Sequence, residues 1–126
     1  GTILLVDDEK TVRTVGRLML QKAGFNTLLA ADGREAVDLF RDHAEQVSCV
    51  LLDLTMPHMS GEETFQQLRQ IRPDVKVILS SGYNEHEVVD RFAGKELAGF
   101  IQKPYQRERL LSTIREALDP STDRAT

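Results

Sequence analysis

Five short apolar runs, separated by longer segments, constrain the fold of this chain more than any other feature of its sequence. The runs are rich in Val, Ile and Leu and show almost no polar alternation, which is typical of strands buried on both faces of a parallel sheet. They comprise Ile3–Val6, Thr27–Ala30, Cys49–Leu52, Val75–Leu79 and Ala98–Ile101. The sequence therefore predicts five short, parallel and largely buried strands.

The segments between the runs change to helical spacing. Gly24 is placed to end the first helix in a left-handed conformation, and Ser60 with Glu63 has the spacing of a capping box. Asn84 gives a weaker start signal for a fourth helix. The apolar positions that repeat at helical intervals are Val12, Val15, Met19 and Ala23, then Ala36, Phe40 and Ala44, then Phe65 and Leu68, and finally Leu110, Leu111, Ile114 and Leu118.

This strict alternation predicts an α/β fold with a doubly wound, five-stranded parallel sheet flanked by five helices. In such sheets, ligands bind beyond the carboxyl ends of the strands, where the strand order reverses. Residues 1–119 are expected to form one domain, and the polar residues 120–126 a frayed tail. The functional groups should lie in the loops that follow the strands.

Composition excludes several classes of function. The chain has 126 residues and a formal net charge of −4, and its basic residues are scattered, so we expect no contact with nucleic acid. No apolar run approaches the roughly 20 residues of a membrane span, and no signal peptide is evident. The single cysteine, Cys49, suggests a buried thiol rather than a disulfide. We therefore expect a cytoplasmic protein without membrane contact.

Four of the five predicted strands are followed by polar groups. The first is followed by Asp7 and Asp8, the third by Asp53, the fourth by Ser81 and the fifth by Lys103. Each alone has an ordinary explanation as a helix cap, a turn or an exposed loop. Together they are more specific, because neighbouring parallel strands lie only about 4.8 Å apart. Three carboxylates would then lie close together at the carboxyl end of the sheet.

Carboxylates crowded in this way resist ionisation unless a cation joins them. Oxygen ligands without His or Cys favour a hard cation, and few protein carboxylates favour Mg²⁺, which shares its coordination sphere with a phosphate. Lys103 adds a positive charge and Ser81 a hydroxyl donor. This set suits phosphoryl transfer to a carboxylate, with the cations neutralising charge on the phosphoryl oxygens.

Four motifs resemble those of response-regulator receiver domains. They read LLVDDE, LLDLTMPHMSG, VILSSGY and GFIQKPY, and their order and spacing agree with the family along nearly the whole chain. The resemblance implies a five-stranded parallel sheet of order 2-1-3-4-5. It also implies a two-component phosphorelay, in which the domain receives a phosphoryl group from a phosphohistidine and is not an enzyme beyond its own phosphotransfer and dephosphorylation.

The resemblance assigns a role to each site residue. Asp53 is the phosphoacceptor, with Lys103 and Ser81 assisting, and Mg²⁺ or Mn²⁺ is the expected cofactor. The implied metal ligands are Asp8, Asp53, the backbone carbonyl of Thr55 and, through water, Asp7. Ser81 is also the implied switch hydroxyl, since it has the family spacing and the neighbouring Ser80 does not. It acts together with the aromatic Phe100. The Lys103–Pro104 peptide bond is often cis in this family.

The resemblance also implies partners. These are a histidine kinase or a histidine phosphotransfer domain, read through a surface formed by the fourth predicted helix, the fifth strand and the last helix. A phosphorylation-linked dimer is a further arrangement of the family. The wording ILLVDDE, LSSGY and FIQKPY most resembles receivers at the C-terminus of hybrid histidine kinases, and we expect this chain to come from one. A stand-alone regulator and the input domain of a longer regulator stay open as alternatives.

Two other functions compete with this interpretation. A phosphohydrolase with an aspartyl-phosphate intermediate would carry a second Asp two residues after the nucleophile, where this chain has Thr55. A non-phosphorylated interaction module would be free to lose at least one of the acidic pair, Asp53, Ser81 or Lys103. All of these are present.

A few polar residues outside the motifs carry weaker expectations. Tyr83 is expected to shield an acyl phosphate from water and so to lengthen its life. The three histidines are not spaced as metal ligands, and we expect all of them to be solvated surface residues; they are His43, His58 and His86.

Overall fold

The computed structural model of the chain describes residues 1–54, 59–82 and 97–118. Its strands form one sheet of order β2-β1-β3-β4-β5, in which every neighbouring pair is parallel. The strands are β1 (Thr2–Val6), β2 (Asn26–Ala30), β3 (Val47–Asp53), β4 (Val77–Ser81) and β5 (Gly99–Gln102). The predicted doubly wound α/β fold and its strand order are confirmed.

Each strand differs from its predicted bounds by one or two residues, and two of these differences have a clear physical reason. β3 extends to Asp53, because Asp53 still pairs with Ser80 across the sheet. β4 begins two residues late, because the backbone N–H of Val75 donates to the carbonyl of Arg72 at 3.1 Å in a turn. An apolar residue in a turn beside a strand therefore looked like part of the strand.

Four helices flank the sheet in the described part of the chain: α1 (Lys10–Lys22), α2 (Gly33–His43), α3 (Gly61–Ile71) and α4 (Arg107–Leu118). Gly24 has φ 96° just beyond α1, as its predicted capping role requires. Ser60 accepts a hydrogen bond from the backbone N–H of Glu63 at 3.1 Å, which caps α3 as expected. The helix predicted after Asn84 and the tail 120–126 lie outside the described residues.

The helices cover both faces of the sheet. Alternate strand residues point to opposite faces, so Leu4 and Leu5 belong to different apolar clusters. One cluster includes Phe40 of α2 and residues of α3, and the other includes Leu20 of α1 and residues of α4. Val15 of α1, predicted on the apolar face, is 40% exposed, because the buried face of that helix is centred on Gly16 and Leu20.

Arg72 joins two loops at the amino end of the sheet, opposite to the end where ligands are expected. Its guanidinium donates to the carbonyls of Ala44 and, at 2.9 Å, of Val47. It also lies over the Phe40 ring, 5.4 Å from the centroid, and forms an ion pair with Asp74 at 3.3 Å. Arg72 therefore satisfies carbonyls at the start of β3 and supports the core from that end.

The expected burial of Cys49 is confirmed. Its side chain has no exposed surface, and burial raises the pKa of the thiol to about 12, against weaker opposing effects of Lys76 and of the Val50 carbonyl. Such a thiol is un-ionised and inert at neutral pH. In the described ranges, every helix is too short or too polar to cross a membrane.

Gly61, the first residue of α3, allows this helix to lie directly against the end of β3. A β-carbon at this position would stand 2.9 Å from the Leu54 Cα and 3.0 Å from the Leu54 carbonyl oxygen. Both atoms belong to the backbone and cannot turn away as a side chain does. Leu54 follows Asp53 directly, so this contact fixes the backbone that leaves the predicted site.

We predict that Gly61→Ala destabilises the protein by about 1–3 kcal/mol, the range for an overpacked core site, although alanine favours helices. The measurement is the free energy of unfolding in urea. Gly82→Ala is the matched control, because a β-carbon there would meet nothing within 4 Å. Equal stability of the two variants would contradict the close contact.

Candidate functional site

The sheet brings the predicted polar residues to its carboxyl end. Asp7 follows β1, Asp53 ends β3, Ser81 ends β4 and Lys103 follows β5. These four strands are consecutive neighbours in the sheet. Asp7, Asp53 and Ser81 have no exposed surface, whereas Asp8 is exposed. The site therefore combines three buried polar side chains with one carboxylate, that of Asp8, that faces solvent.

Asp7 is held by four hydrogen bonds, two to its carboxylate and two to its backbone. Its Oδ1 accepts a hydrogen bond from the backbone N–H of Glu9 at 2.9 Å, and its Oδ2 accepts one from Lys103 Nζ at 3.0 Å. Its own carbonyl accepts a hydrogen bond from the Arg13 guanidinium at 2.7 Å. Its backbone N–H donates to the Ala30 carbonyl on β2 at 3.1 Å. The position of this carboxylate is therefore fixed before any ligand binds.

Lys103 is the cation that this part of the structure supplies to the buried carboxylates. Its Nζ lies 3.0 Å from Asp7 Oδ2 and 3.4 Å from Asp53 Oδ2, and its side chain is 14% exposed. Burial alone would lower the pKa of Lys103, but the hydrogen bond to Asp7 and the charge of Asp53 outweigh it and raise the pKa. The ammonium group is therefore charged at neutral pH.

Three carboxylates form a group that can hold a cation. One oxygen from each of Asp7, Asp8 and Asp53 lies within 4.8 Å of the others. The donors are all carboxylate oxygens, which suit Mg²⁺ or Mn²⁺ better than Zn²⁺. These residues therefore fit the predicted metal. Thr55, whose carbonyl was predicted to complete the site, lies outside the described residues.

Ser80 and Ser81 lie on opposite faces of the sheet. Strand alternation places Ser80 on the face of Ile78, toward α1 and α4, and Ser81 on the face of Val77 and Leu79. Phe100, the predicted switch aromatic, is partly buried and packs against the same cluster as Leu79. Ser81 therefore shares its face with Phe100, which fits the choice of this serine from its spacing.

The loop after β5 contains the peptide bond that is often cis in the family that the sequence resembles. The Lys103–Pro104 peptide bond is cis. A surface depression of about 400 Å³ lies beside it, lined by Phe100, Gln102, Lys103, Pro104, Gln106 and Arg109. Its lining joins the end of β5 to the start of α4.

Two residues at the site were not predicted from the sequence. Arg13 lies in the first turns of α1 and reaches back to the Asp7 carbonyl. Tyr105 donates its hydroxyl to Ser80 Oγ at 3.3 Å. Arg13 lies outside the four motifs, and Tyr105 ends the motif GFIQKPY without having been given a role there. The only sequence signal was their position, six residues after Asp7 and two after Lys103.

Of the three histidines, only His43 lies among the described residues, and it is remote from the site. His43, expected to be a solvated surface residue, ends α2 at the opposite end of the sheet and is only partly exposed. Its Nδ1 atom is buried. His58 and His86 lie outside the described residues, as does Tyr83.

Comparison with known proteins identifies what this arrangement resembles. Residues 3–115 match the family model of the response regulator receiver domain. The chain is 36% identical over 119 residues to the sensor kinase CckA of Brucella abortus, an alignment covering 94% of the chain and 13% of that kinase. It is 34% identical over 118 residues to the transcriptional regulatory protein CpxR of Escherichia coli, covering 92% of the chain and 48% of that regulator.

A solved structure supports the same family. The receiver domain of the hybrid histidine kinase CckA has a TM-score of 0.79 and 28% identity, with 94% of this chain and 100% of that domain covered. The chain spans only 13% and 48% of the two curated relatives, so it corresponds to one part of each.

We predict that Lys103→Met lowers the free energy of unfolding by about 3 kcal/mol or more, because it leaves two buried carboxylates without their ammonium partner. The measurement is urea unfolding in metal-free buffer. Lys10→Met is the control, since Lys10 is exposed in the first turn of α1 and its replacement should change stability by no more than about 0.5 kcal/mol. Similar losses in both variants would show that the ammonium does not stabilise these carboxylates.

Proposed function

Because this chain belongs to the family of response regulator receiver domains, we propose that it is a phosphorylation switch whose Asp53 accepts a phosphoryl group from a phosphohistidine. One observation carries the proposal. The buried Asp53 carboxylate lies 3.4 Å from Lys103 Nζ and within 4.8 Å of oxygens of Asp7 and Asp8. A nucleophile, a fixed cation and a set of metal ligands therefore meet at one point.

Asp8 and Asp53, with the Thr55 carbonyl and with Asp7 through water, would hold Mg²⁺ or Mn²⁺. When bound, the metal supplies positive charge that offsets the charge on the phosphoryl oxygens. The fit rests on the all-oxygen donor set and on the closeness of the three carboxylates. The bound cation would also relieve the repulsion among these carboxylates.

The chain's own residues would do the rest by position and charge. An Asp53 carboxylate oxygen attacks phosphorus, the bond from phosphorus to the histidine nitrogen breaks, and its electron pair returns to the imidazole. Lys103, already at the carboxylate, would contact the transferred oxygens and stabilise their charge. Transfer of this kind, and the later hydrolysis, are the only reactions we assign to the domain.

Ser81 and Phe100 are proposed to convert phosphorylation into a change of shape. The new phosphoryl oxygens attract the Ser81 hydroxyl, and its movement frees space on the face that it shares with Phe100. Phe100 then turns inward, and the surface around β5 and α4 changes. The adjoining depression beside Lys103 and Arg109 belongs to this surface.

We further propose that the domain comes from a hybrid histidine kinase and acts in the cytoplasm. The likeness to the sensor kinase CckA of Brucella abortus and to a solved receiver domain of a hybrid histidine kinase CckA supports this origin. The phosphoryl donor would be a histidine kinase or a phosphotransfer domain. A phosphorylation-linked dimer is a further hypothesis. The similar identity to CpxR keeps a longer regulator as the second candidate.

We predict that the protein gains one phosphoryl group when it is incubated with acetyl phosphate and Mg²⁺, and that Asp53→Asn gains none. Intact-mass spectrometry measures the gain, and omission of Mg²⁺ with added chelator should abolish it. Asp42→Asn is the matched control, because Asp42 is an exposed carboxylate of α2, far from the carboxyl end of the sheet. Equal labelling of the wild type and Asp53→Asn would overturn the proposed function.

A further inference from the structure

A pair of hydroxyl groups lies beside the phosphoacceptor, at the end of the neighbouring strand. Tyr105 Oη donates to Ser80 Oγ at 3.3 Å, and Ser80 has no exposed surface. Ser80 is the β4 residue that pairs with Asp53 of β3. Its carbonyl also accepts the backbone N–H of Leu54 at 2.9 Å. Tyr105 is therefore hydrogen-bonded to the residue that pairs with Asp53 on the neighbouring strand.

Packing alone does not explain the hydroxyl of Tyr105. The ring packs among apolar residues of the α1 and α4 face and lies against Gly16, where an added β-carbon would stand 3.5 Å from Tyr105 Cε2. A phenylalanine ring would fill the same space. The hydroxyl of this partly buried tyrosine instead has a hydrogen-bond partner in Ser80.

The phenol keeps its proton in this setting. Burial raises the pKa of Tyr105, the hydrogen bond with Ser80 opposes the rise, and the negative charges of Asp7 and Asp53 add to it. The hydroxyl is therefore a donor throughout the neutral range.

Lys103 and Tyr105 each donate a hydrogen bond to the end of β4, to two consecutive residues of that strand. The backbone N–H of Lys103 donates to the Ser81 carbonyl at 2.8 Å, and the Tyr105 hydroxyl donates to Ser80. The segment from Lys103 to Tyr105 is thus held against the end of β4 at both of its ends. Lys103 otherwise reaches its carboxylates through a long side chain with many rotamers.

We propose that Tyr105 is a positioning residue for phosphorylation of Asp53, acting through its hydrogen bond to Ser80 to keep the backbone of Lys103 in place, so that Nζ stays between Asp7 and Asp53. The inference rests on the proposed function of Asp53. The Tyr105 hydroxyl donates to Ser80 Oγ, so the role that we assign to it is positioning and not contact with the phosphoryl group. It differs in this from Lys103, which contacts both carboxylates.

A double-mutant cycle on phosphorylation rate tests the proposal. The variants are Tyr105→Phe, Ser80→Ala and the double variant, each incubated with acetyl phosphate and saturating Mg²⁺ while intact mass is followed with time. Each single variant should slow phosphorylation about three- to tenfold, as expected for loss of one ordinary hydrogen bond. The double variant should be no slower than either single variant, because all three lack the same interaction.

Two further measurements separate positioning from a loss of structure. The Mg²⁺ concentration that gives half the maximal rate should stay within twofold of the wild type, because Lys103 is not a metal ligand. Thr113→Val is the control, since it removes a hydroxyl that donates to Arg109 within α4. It should label at the wild-type rate, and thermal unfolding should show all variants folded at the assay temperature.

The outcomes distinguish this inference from the proposed function. A wild-type protein that gains no phosphoryl group defeats both. Wild-type rates in Tyr105→Phe or in Ser80→Ala overturn the positioning role and leave Asp53 as the phosphoacceptor. Additive losses in the double variant, or a Mg²⁺ midpoint that shifts in step with the rate, also overturn it.

Discussion

The electrostatic contact between Lys103 and two buried carboxylates is the interaction on which the rest of the site depends. Asp7 and Asp53 are both removed from water, a costly state for two negative charges unless a cation lies close to them. The Lys103 ammonium lies 3.0 Å from one and 3.4 Å from the other. Because the three residues lie just after β1, at the end of β3 and in the loop after β5, this contact also joins the centre of the sheet to its edge strand.

The sheet itself follows from a pattern that is visible in the sequence. Apolar runs without alternation can be satisfied only between two layers of helices, and parallel strands then bring their carboxyl ends together. This reasoning predicts a doubly wound sheet. It also predicts that four polar residues meet at one end of it: Asp7, Asp53, Ser81 and Lys103. The oxygen-only ligand set also favours Mg²⁺, whereas the assignment of Asp53 as the phosphoacceptor came from the resemblance to receiver domains.

Other details depend on contacts that no local pattern encodes. Arg13 and Tyr105 are ordinary residues for their helix and loop, and their importance appears only when the Asp7 carbonyl and Ser80 Oγ are seen beside them. The start of β4 was misplaced because Val75 is apolar but lies in a turn. Val15 was placed on a buried face because helical spacing gives a period, and only packing fixes where the buried stripe is centred.

Arg72 lies at the amino end of the sheet, and its distance from Asp53 has an electrostatic consequence. β3 runs the seven residues from Val47, whose carbonyl Arg72 binds, to Asp53. At about 3.3 Å per residue this is roughly 20 Å. The Debye length in physiological salt is only about 8 Å, so charges at the solvent-exposed rim of one end are largely screened from the other. Exposed charges at the Arg72 end, such as Asp74, can therefore vary with little effect on the exposed side of the phosphorylation site, whereas Arg72 and Asp53 themselves are too buried for this screening to apply in full.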